Sequence, residues 1–476
     1  MVGRDGLTAT PLPLTQAVRP GTRLESTLLS DNPLAPLDLA FWHLEAPDHP
    51  MHLGAVATFE PTAGRGPEHA LELLAARASA IPRLRMRVRS VLLPPGGAMW
   101  TKQKAFDVSR HVHPAWLTGN HGSAELHTLV GELMERPLDR ARPPWEVYVI
   151  AHPDGGPFSV LVKLHHALAD GLRAVTIGAA LLDQGTRQVS FSSAAKAPAG
   201  PRLAIPDPRQ LAAGLRSRLG DAEQVVGIGR AVMKATLDSR RSVALATTPS
   251  ATRRVATAVL DLADLQKIRR SGGGTVNDVL LAVVAGMLRR WTLERGEEVT
   301  GSDTRALVPV SRYRPRTVVR AGNTLSGFLV RLPVSEADPR ERLRMVRMAM
   351  DRNKAEGPGR GPGAVAMLAD YVPPLGHRLG APLAGFAARL LYDVLVTNVP
   401  LPGAELSLGG CPLTELYPLA PLARGQSVSV AMSTYRKRVH FGLLGDGRAV
   451  PDLDRLATSA YDALAELAEA CALRPV

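Results

Sequence analysis

Between Trp145 and Leu182 the hydrophobic rhythm of the chain changes, and the change predicts structure. Trp145 to Ala151 and Phe158 to Leu164 are two strand-like runs, and His152-Pro153-Asp154-Gly155-Gly156 between them is a turn signal, so the pair predicts a hairpin. After Gly171 the apolar spacing lengthens to a helical period through Leu182. Upstream, strands are expected at Ala55 to Phe59, Leu84 to Leu92 and Met99 to Val108, and helices at Glu68 to Ala80 and Ser123 to Glu135. Asp31 to Glu45 mixes turn residues with an apolar stripe.

Downstream, residues 184–250 carry no strand signal, only Ser/Ala/Pro stretches and a helical segment near Gln210 to Leu237. Strands are then expected at 254–262, Leu325 to Leu332, Val394 to Asn398, Ser427 to Ser433 and Val439 to Leu444. Helices are expected at Leu262 to Ser271, Thr275 to Trp291, Arg340 to Lys354, in two stretches before Tyr392, and at Asp452 to Ala470. Strands and helices mix without regular alternation, and no short-period repeat interrupts them. The fold class is therefore α/β or α+β in two similar-sized halves. The division expected is a flexible segment 1–30, an N-terminal domain 31–183, a crossover 184–250 and a C-terminal domain 251–476.

Composition agrees with two globular domains: 476 residues, 45% hydrophobic and 21% charged. A net charge of +13 would suit nucleic acid, an anionic membrane or a polyanionic small molecule. Aromatics at 4% and the lack of any nucleic-acid motif argue against the first. Cys411 and Cys471 fit no metal spacing and suit a reducing compartment. Met1 to Ser30 lacks the apolar stretch of a signal peptide, and the longest apolar run, Val279 to Leu288, is too short to span a bilayer. A cytoplasmic protein, soluble or peripheral at a membrane, is expected.

The candidate chemistry lies where the strand Phe158 to Leu164 runs into His165-His166. Successive side chains on a strand face opposite ways. Val160, Val162, Leu164 and His166 share one parity; Ser159, Leu161, Lys163 and His165 share the other. The two histidines therefore cannot act on one proton or bind one metal together. His166, at the end of the apolar face, suits a general base that takes a hydroxyl proton. No Gly-x-Ser-x-Gly elbow, P-loop or dinucleotide fingerprint is present, and the glycine run Gly357 to Gly363 lacks a preceding strand. Taken alone, such a histidine pair is more often structural, and Asp170 and Gly171 more often a cap and a backbone convenience.

The heptad His165-His166-Ala167-Leu168-Ala169-Asp170-Gly171 matches the His-His-x-x-x-Asp-Gly signature of the superfamily that includes chloramphenicol acetyltransferase and condensation domains. Further segments narrow the likeness: Pro36-Leu37-Asp38 with Phe41 to Glu45, Pro50-Met51-His52-Leu53-Gly54, Pro137-Leu138-Asp139-Arg140 with Pro143-Pro144-Trp145-Glu146, and Thr275 to Ala282. Val308-Pro309-Val310-Ser311, Gly322-Asn323, Thr397-Asn398-Val399-Pro400 and Glu415-Leu416-Tyr417-Pro418 follow in order. Over roughly residues 31 to 470 the chain resembles the bacterial wax ester synthase/diacylglycerol acyltransferase family. Two positions depart from that pattern: Pro144 stands for a leucine, and Leu401 for a glycine.

The resemblance implies two chloramphenicol acetyltransferase-like domains, each a mixed sheet with flanking helices, around a central tunnel. It implies His166 as general base, His165 as its support, Asp170 as a structural residue that pairs with an arginine, and Gly171 as room for close approach. Asn277, Asp278, Trp145 and Asn398 become candidates for the tunnel wall, although helix capping by Asn277 and Asp278 and core packing by Trp145 are the simpler roles. The implied substrates are acyl-CoA and diacylglycerol or a long-chain alcohol, met at a membrane or lipid droplet, with no metal or cofactor. Leu375 to Leu395 mixes arginine with apolar faces, as a surface-bound helix would. The rival expectations are an acyltransferase for a natural-product or carrier-bound substrate, and a lipid-binding scaffold without activity.

Overall fold

The computed structural model describes residues 32–119, 122–183, 247–299, 304–311, 325–357, 362–401 and 405–472, with isolated positions between 227 and 245 and at Gly403. The segment 1–30, most of the crossover 184–250 and the Gly322-Asn323 pair lie outside them. In chain order the first half contains β1 (Asn32–Pro33), α1 (Pro36–Leu44), β2 (His52–Phe59), α2 (Pro67–Ala80), β3 (Met86–Ser90), β4 (Ala98–Lys102), β5 (Val112–Trp116), α3 (Ser123–Glu135), β6 (Trp145–Ala151), β7 (Phe158–His165) and α4 (Gly171–Leu181). The second contains β8 (Arg253–Asp261), α5 (Leu262–Gly272), α6 (Val276–Glu294), β9 (Thr304–Ser311), β10 (Leu325–Leu332), α7 (Pro339–Glu356), α8 (Pro374–Leu391), β11 (Val394–Val399), β12 (Ser407–Leu408), β13 (Cys411–Leu419), β14 (Val428–Tyr435), β15 (Arg438–Asp446) and α9 (Leu453–Ala472).

These strands build two large mixed sheets. One has the order β12-β13-β2-β7-β6-β5 and the other β10-β9-β11-β14-β15-β8; β1, β4 and β3 form a small third sheet. The expected hairpin is present as the antiparallel pair β6–β7, with Gly155 and Gly156 at positive φ in its turn. The strand expected at Leu84 to Leu92 begins instead as a 3-10 turn, Pro82–Arg85, because Pro82 opens that turn.

The sheets do not respect a clean division of the chain. β13 crosses back and pairs antiparallel with β2, Leu416 opposite Ala57 and Pro418 opposite Ala55. A third layer joins the halves: Val56, Leu161 and Met134 pack with Val255, Leu419 and Leu444. The apolar run Val279 to Leu288 lies in α6, buried on every side between α5, α7, α9 and the second sheet. No single helix among the described residues is long and apolar enough to cross a membrane.

Candidate active site

The alternation of β7 carries through to the histidine pair. Val160, Val162, Leu164 and His166 all line one apolar cavity of about 410 Å³. Lys163 and His165 point the other way and are fully buried, and Lys163 donates to the Leu133 carbonyl at 2.8 Å. On β2 the residues of matching parity, Leu53, Ala55, Ala57 and Phe59, extend the cavity floor, since Ala55 faces Val162 and Ala57 faces Val160 in register. β13 adds Leu416 and Pro418, α4 forms one wall, and Thr397 and Asn398 of β11 bring in the second sheet. Among the described residues lining this cavity, His166 is the only one with a titratable side chain, and none is serine or cysteine.

The backbone of the heptad is held from several sides. The His166 N–H donates to the Met51 carbonyl at 2.8 Å, and the His165 N–H to the Pro144 carbonyl at 3.0 Å. The Ala167 N–H donates to His165 Nδ1 at 2.9 Å. That nitrogen must be unprotonated to accept, so the imidazole proton sits on Nε2, which lies 3.5 Å from Glu45 Oε2. Asp170 caps α4 by accepting the Arg173 N–H at 2.9 Å. The arginine that braces this loop is Arg83, whose guanidinium reaches the Leu168 carbonyl at 3.4 Å and lies over the Trp100 ring.

Behind the pair lies a buried cluster to which the sequence motifs assign no role. His52 stands opposite His165 in the β2–β7 register, and its Nε2 lies 3.2 Å from Glu45 Oε1. Burial pushes the Glu45 carboxyl up, but His165 and His52 more than offset this and hold it well below the usual carboxylate range. Arg140 donates to the Trp42 carbonyl at 2.6 Å and covers the Trp42 ring, pinning α1. From α1, the tilted Phe41 ring lies 3.9 Å from the His166 ring and Trp42 meets His165 edge-on at 5.0 Å. The local signal for this cluster was an acidic residue ending an apolar stripe, but its partner lies 120 positions away.

Burial pushes the His166 imidazole down to about 4, against the opposing pull of its backbone hydrogen bond and of Asp170. It is therefore a neutral base throughout the physiological range. The expected consequence is a kcat/KM profile whose His166 limb lies near pH 4, with rate lost as the pH falls through that value; a limb at the ordinary histidine pKa of about 6.5 would contradict it.

The remaining candidates separate cleanly. Asn398 and Gly171 line the cavity; Trp145, Asn277 and Asp278 do not. Trp145 is a core residue that donates from Nε1 to the Leu84 carbonyl at 2.7 Å and stacks on His111. Asp278 closes a capping box with Thr275 at the start of α6 and lies 3.7 Å from Lys354 Nζ. Of the two departures from the family pattern, Pro144 contributes its carbonyl to His165, which proline supplies as well as leucine, and Leu401 is part of the cavity wall.

A two-sheet fold of this kind, with one histidine facing a largely apolar cavity between its halves, defines an acyltransferase of the His-His-x-x-x-Asp-Gly class. The wax ester synthase/diacylglycerol acyltransferase catalytic domain model matches residues 34–280, and the C-terminal domain model of the same family matches residues 321–468. The chain belongs to the wax ester synthase/diacylglycerol acyltransferase family. It is 31% identical over 461 residues to the probable diacyglycerol O-acyltransferase tgs1 of Mycobacterium tuberculosis, covering 92% of this chain and 96% of that protein. The wax ester synthase/diacylglycerol acyltransferase of Marinobacter aquaeolei VT8 shares the fold with a TM-score of 0.68 at 23% identity, over 92% of this chain and 100% of that one. The first condensation domain of the calcium-dependent antibiotic synthetase has the same fold at a TM-score of 0.58 and 16% identity, over 93% and 97%.

Proposed function

We propose that the protein esterifies diacylglycerol, and with it long-chain alcohols, using acyl-CoA as co-substrate and no cofactor, with His166 as general base. The observation that carries this reading is that the one titratable group among the described residues of a largely apolar cavity wall is a neutral imidazole. His166 takes the proton of the acceptor hydroxyl as its oxygen attacks the thioester carbonyl. The new C–O bond forms, the C–S bond breaks, and the proton passes to the departing thiolate. With no serine or cysteine among the described lining residues, direct transfer is favoured over a covalent acyl-enzyme. The names of the relatives support diacylglycerol as the acceptor, and the apolar lining disfavours a polar natural product.

The test is palmitoyl-CoA offered with diacylglycerol, hexadecanol and polar alcohols. Ester formation on the first two is expected. Turnover confined to polar alcohols would remove the lipid reading, and no turnover with any acyl-CoA would favour a scaffold.

Such acceptors reside in membranes, and we assign the protein a peripheral, cytoplasmic place at a membrane or lipid droplet. Leu92 and Leu93 stand 89% and 79% exposed on the loop between β3 and β4. The turn of that loop, at Gly96, packs against Pro374 and Leu375 at the start of α8, beside exposed Val372 and Leu379. Neither 81–106 nor 371–392 contains an acidic residue, while Arg89, Lys102, Lys104 and Arg378 are exposed on them. An apolar tip on segments whose charged residues are basic suits an anionic bilayer. Replacing Leu92 and Leu93 together by aspartate is expected to weaken sedimentation with phosphatidylglycerol vesicles roughly tenfold or more, at about 1.5–3 kcal/mol per inserted leucine. Unchanged binding would place the contact elsewhere.

A further inference from the structure

β7 ends at His165, so the proposed base lies one residue past the last paired position of the strand. Two supports hold it there. Its own N–H reaches the Met51 carbonyl at 2.8 Å, and in the turn that follows the Leu168 N–H reaches the His165 carbonyl at 2.8 Å. Both supports adjoin one side chain. Met51 precedes His52, His165 precedes His166, and His52 faces His165 in register with the ring centroids 6.5 Å apart. The Glu45 carboxylate bridges these rings, one oxygen 3.2 Å from His52 Nε2 and the other 3.5 Å from His165 Nε2.

Nothing about α1 itself calls for an acid at this point. Glu45 is the C-cap of that helix, where the macrodipole disfavours a negative charge. Its side chain is largely buried, which is costly for a carboxylate without partners. Arg140 Nε, 3.9 Å from Oε2, and the buried Lys163 ammonium offset the charge. Glu45, His52 and His165 are absent from the described cavity lining, so substrate contact does not account for the arrangement. Proton positions do. The Ala167 N–H occupies His165 Nδ1, so the proton of that ring sits on Nε2 and faces Glu45. Burial pushes the His52 imidazole down to about 4, so this ring is neutral as well. A carboxylate accepts from both rings and donates to neither.

We infer that Glu45 is a positioning residue for the transfer: it locks the His165 tautomer, clamps His165 to His52, and so holds the His166 ring aimed into the cavity. The inference rests on the general-base reaction proposed above and names a residue on which the aim of that base depends. With its proton on Nδ1, His165 would set a donor against the Ala167 N–H, and the turn after His166 would have to move. A misplacement of about 1 Å at a reacting group lowers the rate by about 10²-fold, which sets the effect expected.

The test measures kcat and KM for palmitoyl-CoA in Glu45→Leu and Glu45→Gln. Leucine keeps the bulk and removes the acceptor. Its kcat is expected to fall roughly ten- to hundredfold, with KM within about twofold of wild type because Glu45 lies off the described cavity wall. Glutamine gives its carbonyl oxygen to His165 and its amide to His52, whose proton then moves to Nδ1, 3.4 Å from the Met134 carbonyl. Glu45→Gln should therefore recover kcat to within about threefold of wild type. In a His166→Ala background Glu45→Leu should lower the residual rate no further, since no imidazole is left to aim. NMR of ring-labelled histidine gives a readout without turnover, with the His165 signal identified by its loss in His165→Asn. That ring should carry its proton on Nε2 in wild type and Glu45→Gln, and show mixed tautomers in Glu45→Leu. A wild-type kcat in Glu45→Leu, an equal further loss without His166, or a His165 tautomer indifferent to Glu45 overturns the inference. If Glu45→Leu does not fold, Glu45→Gln decides: a loss as large as that expected of leucine, or a proton on Nδ1 of His165, overturns it. If wild type transfers no acyl group, the proposed reaction fails, and the tautomer alone decides whether Glu45 sets His165.

Discussion

Replacing His166 by alanine lowers kcat for acyl transfer by about 10²–10⁴-fold, the range expected when a general base is removed. The loss falls on kcat more than on KM for acyl-CoA, because the apolar walls that hold the substrate are untouched. The fold should survive. His166 already borders a cavity, its ring is neutral, and the N–H that ties the loop to Met51 belongs to the backbone. His165→Ala differs in kind: it leaves the Glu45 carboxylate without one of its two imidazole neighbours and loses the acceptor of the Ala167 N–H. Parallel unfolding curves and initial rates separate the two roles. A His166→Ala enzyme that retains wild-type turnover would remove the imidazole from the mechanism.

Asp393→Ala is expected to destabilise the protein by about 3–5 kcal/mol, the effect of removing one partner from a buried ion pair. Arg305 on β9 meets Asp393 through Nη2 at 2.8 Å and Nε at 3.1 Å, both side chains being buried. The Arg305 N–H adds a third bond to the carboxylate at 2.9 Å, and the Asp393 N–H returns one to the Arg305 carbonyl at 2.8 Å. The pair pins the entry to β11, the strand that carries Thr397 and Asn398 into the cavity wall. Loss of the carboxylate leaves the buried guanidinium with only the Leu390 carbonyl as partner among the described residues. Chemical denaturation should therefore show a lower midpoint, with activity lost at lower denaturant than in wild type. A change below about 1 kcal/mol would mean that the guanidinium finds water or another acceptor.

Much of the first half was legible from its sequence. α3 and β6 have the predicted limits, and β7 extends the predicted strand by a single residue. Their patterns are local, and the turn between β6 and β7 carries its own glycine signal. β5, β9 and β13 were not read as strands. β5 contains Pro114, and β13 contains Pro412 and Pro418, which mask the strand signal without preventing pairing in the finished sheet. In β9, Pro309 interrupts the apolar run in the same way.

The site divided along the same line. Strand parity placed His166 on the cavity side and His165 behind it, and the resemblance nominated Asn398 for the wall, which it lines together with the motif residue Gly171. It also nominated Asn277, Asp278 and Trp145 for the wall; none of the three lines the cavity, and the Asp278 side chain went instead to a helix cap and that of Trp145 to the core.

What the sequence by itself determined here is therefore whatever repeats over a few residues: which side of β7 each histidine takes, where α4 starts, and which of its positions are small. Those follow from backbone geometry and need no partner. Only the tertiary structure decided that Glu45 would sit between His52 and His165, that Arg83 would reach the Leu168 carbonyl, and that β13 would return to β2 to complete the cavity floor. Each joins segments tens to hundreds of residues apart. Such contacts are selected by which buried polar groups and apolar faces can be satisfied together in one packed molecule, and no local stretch of chain holds that information.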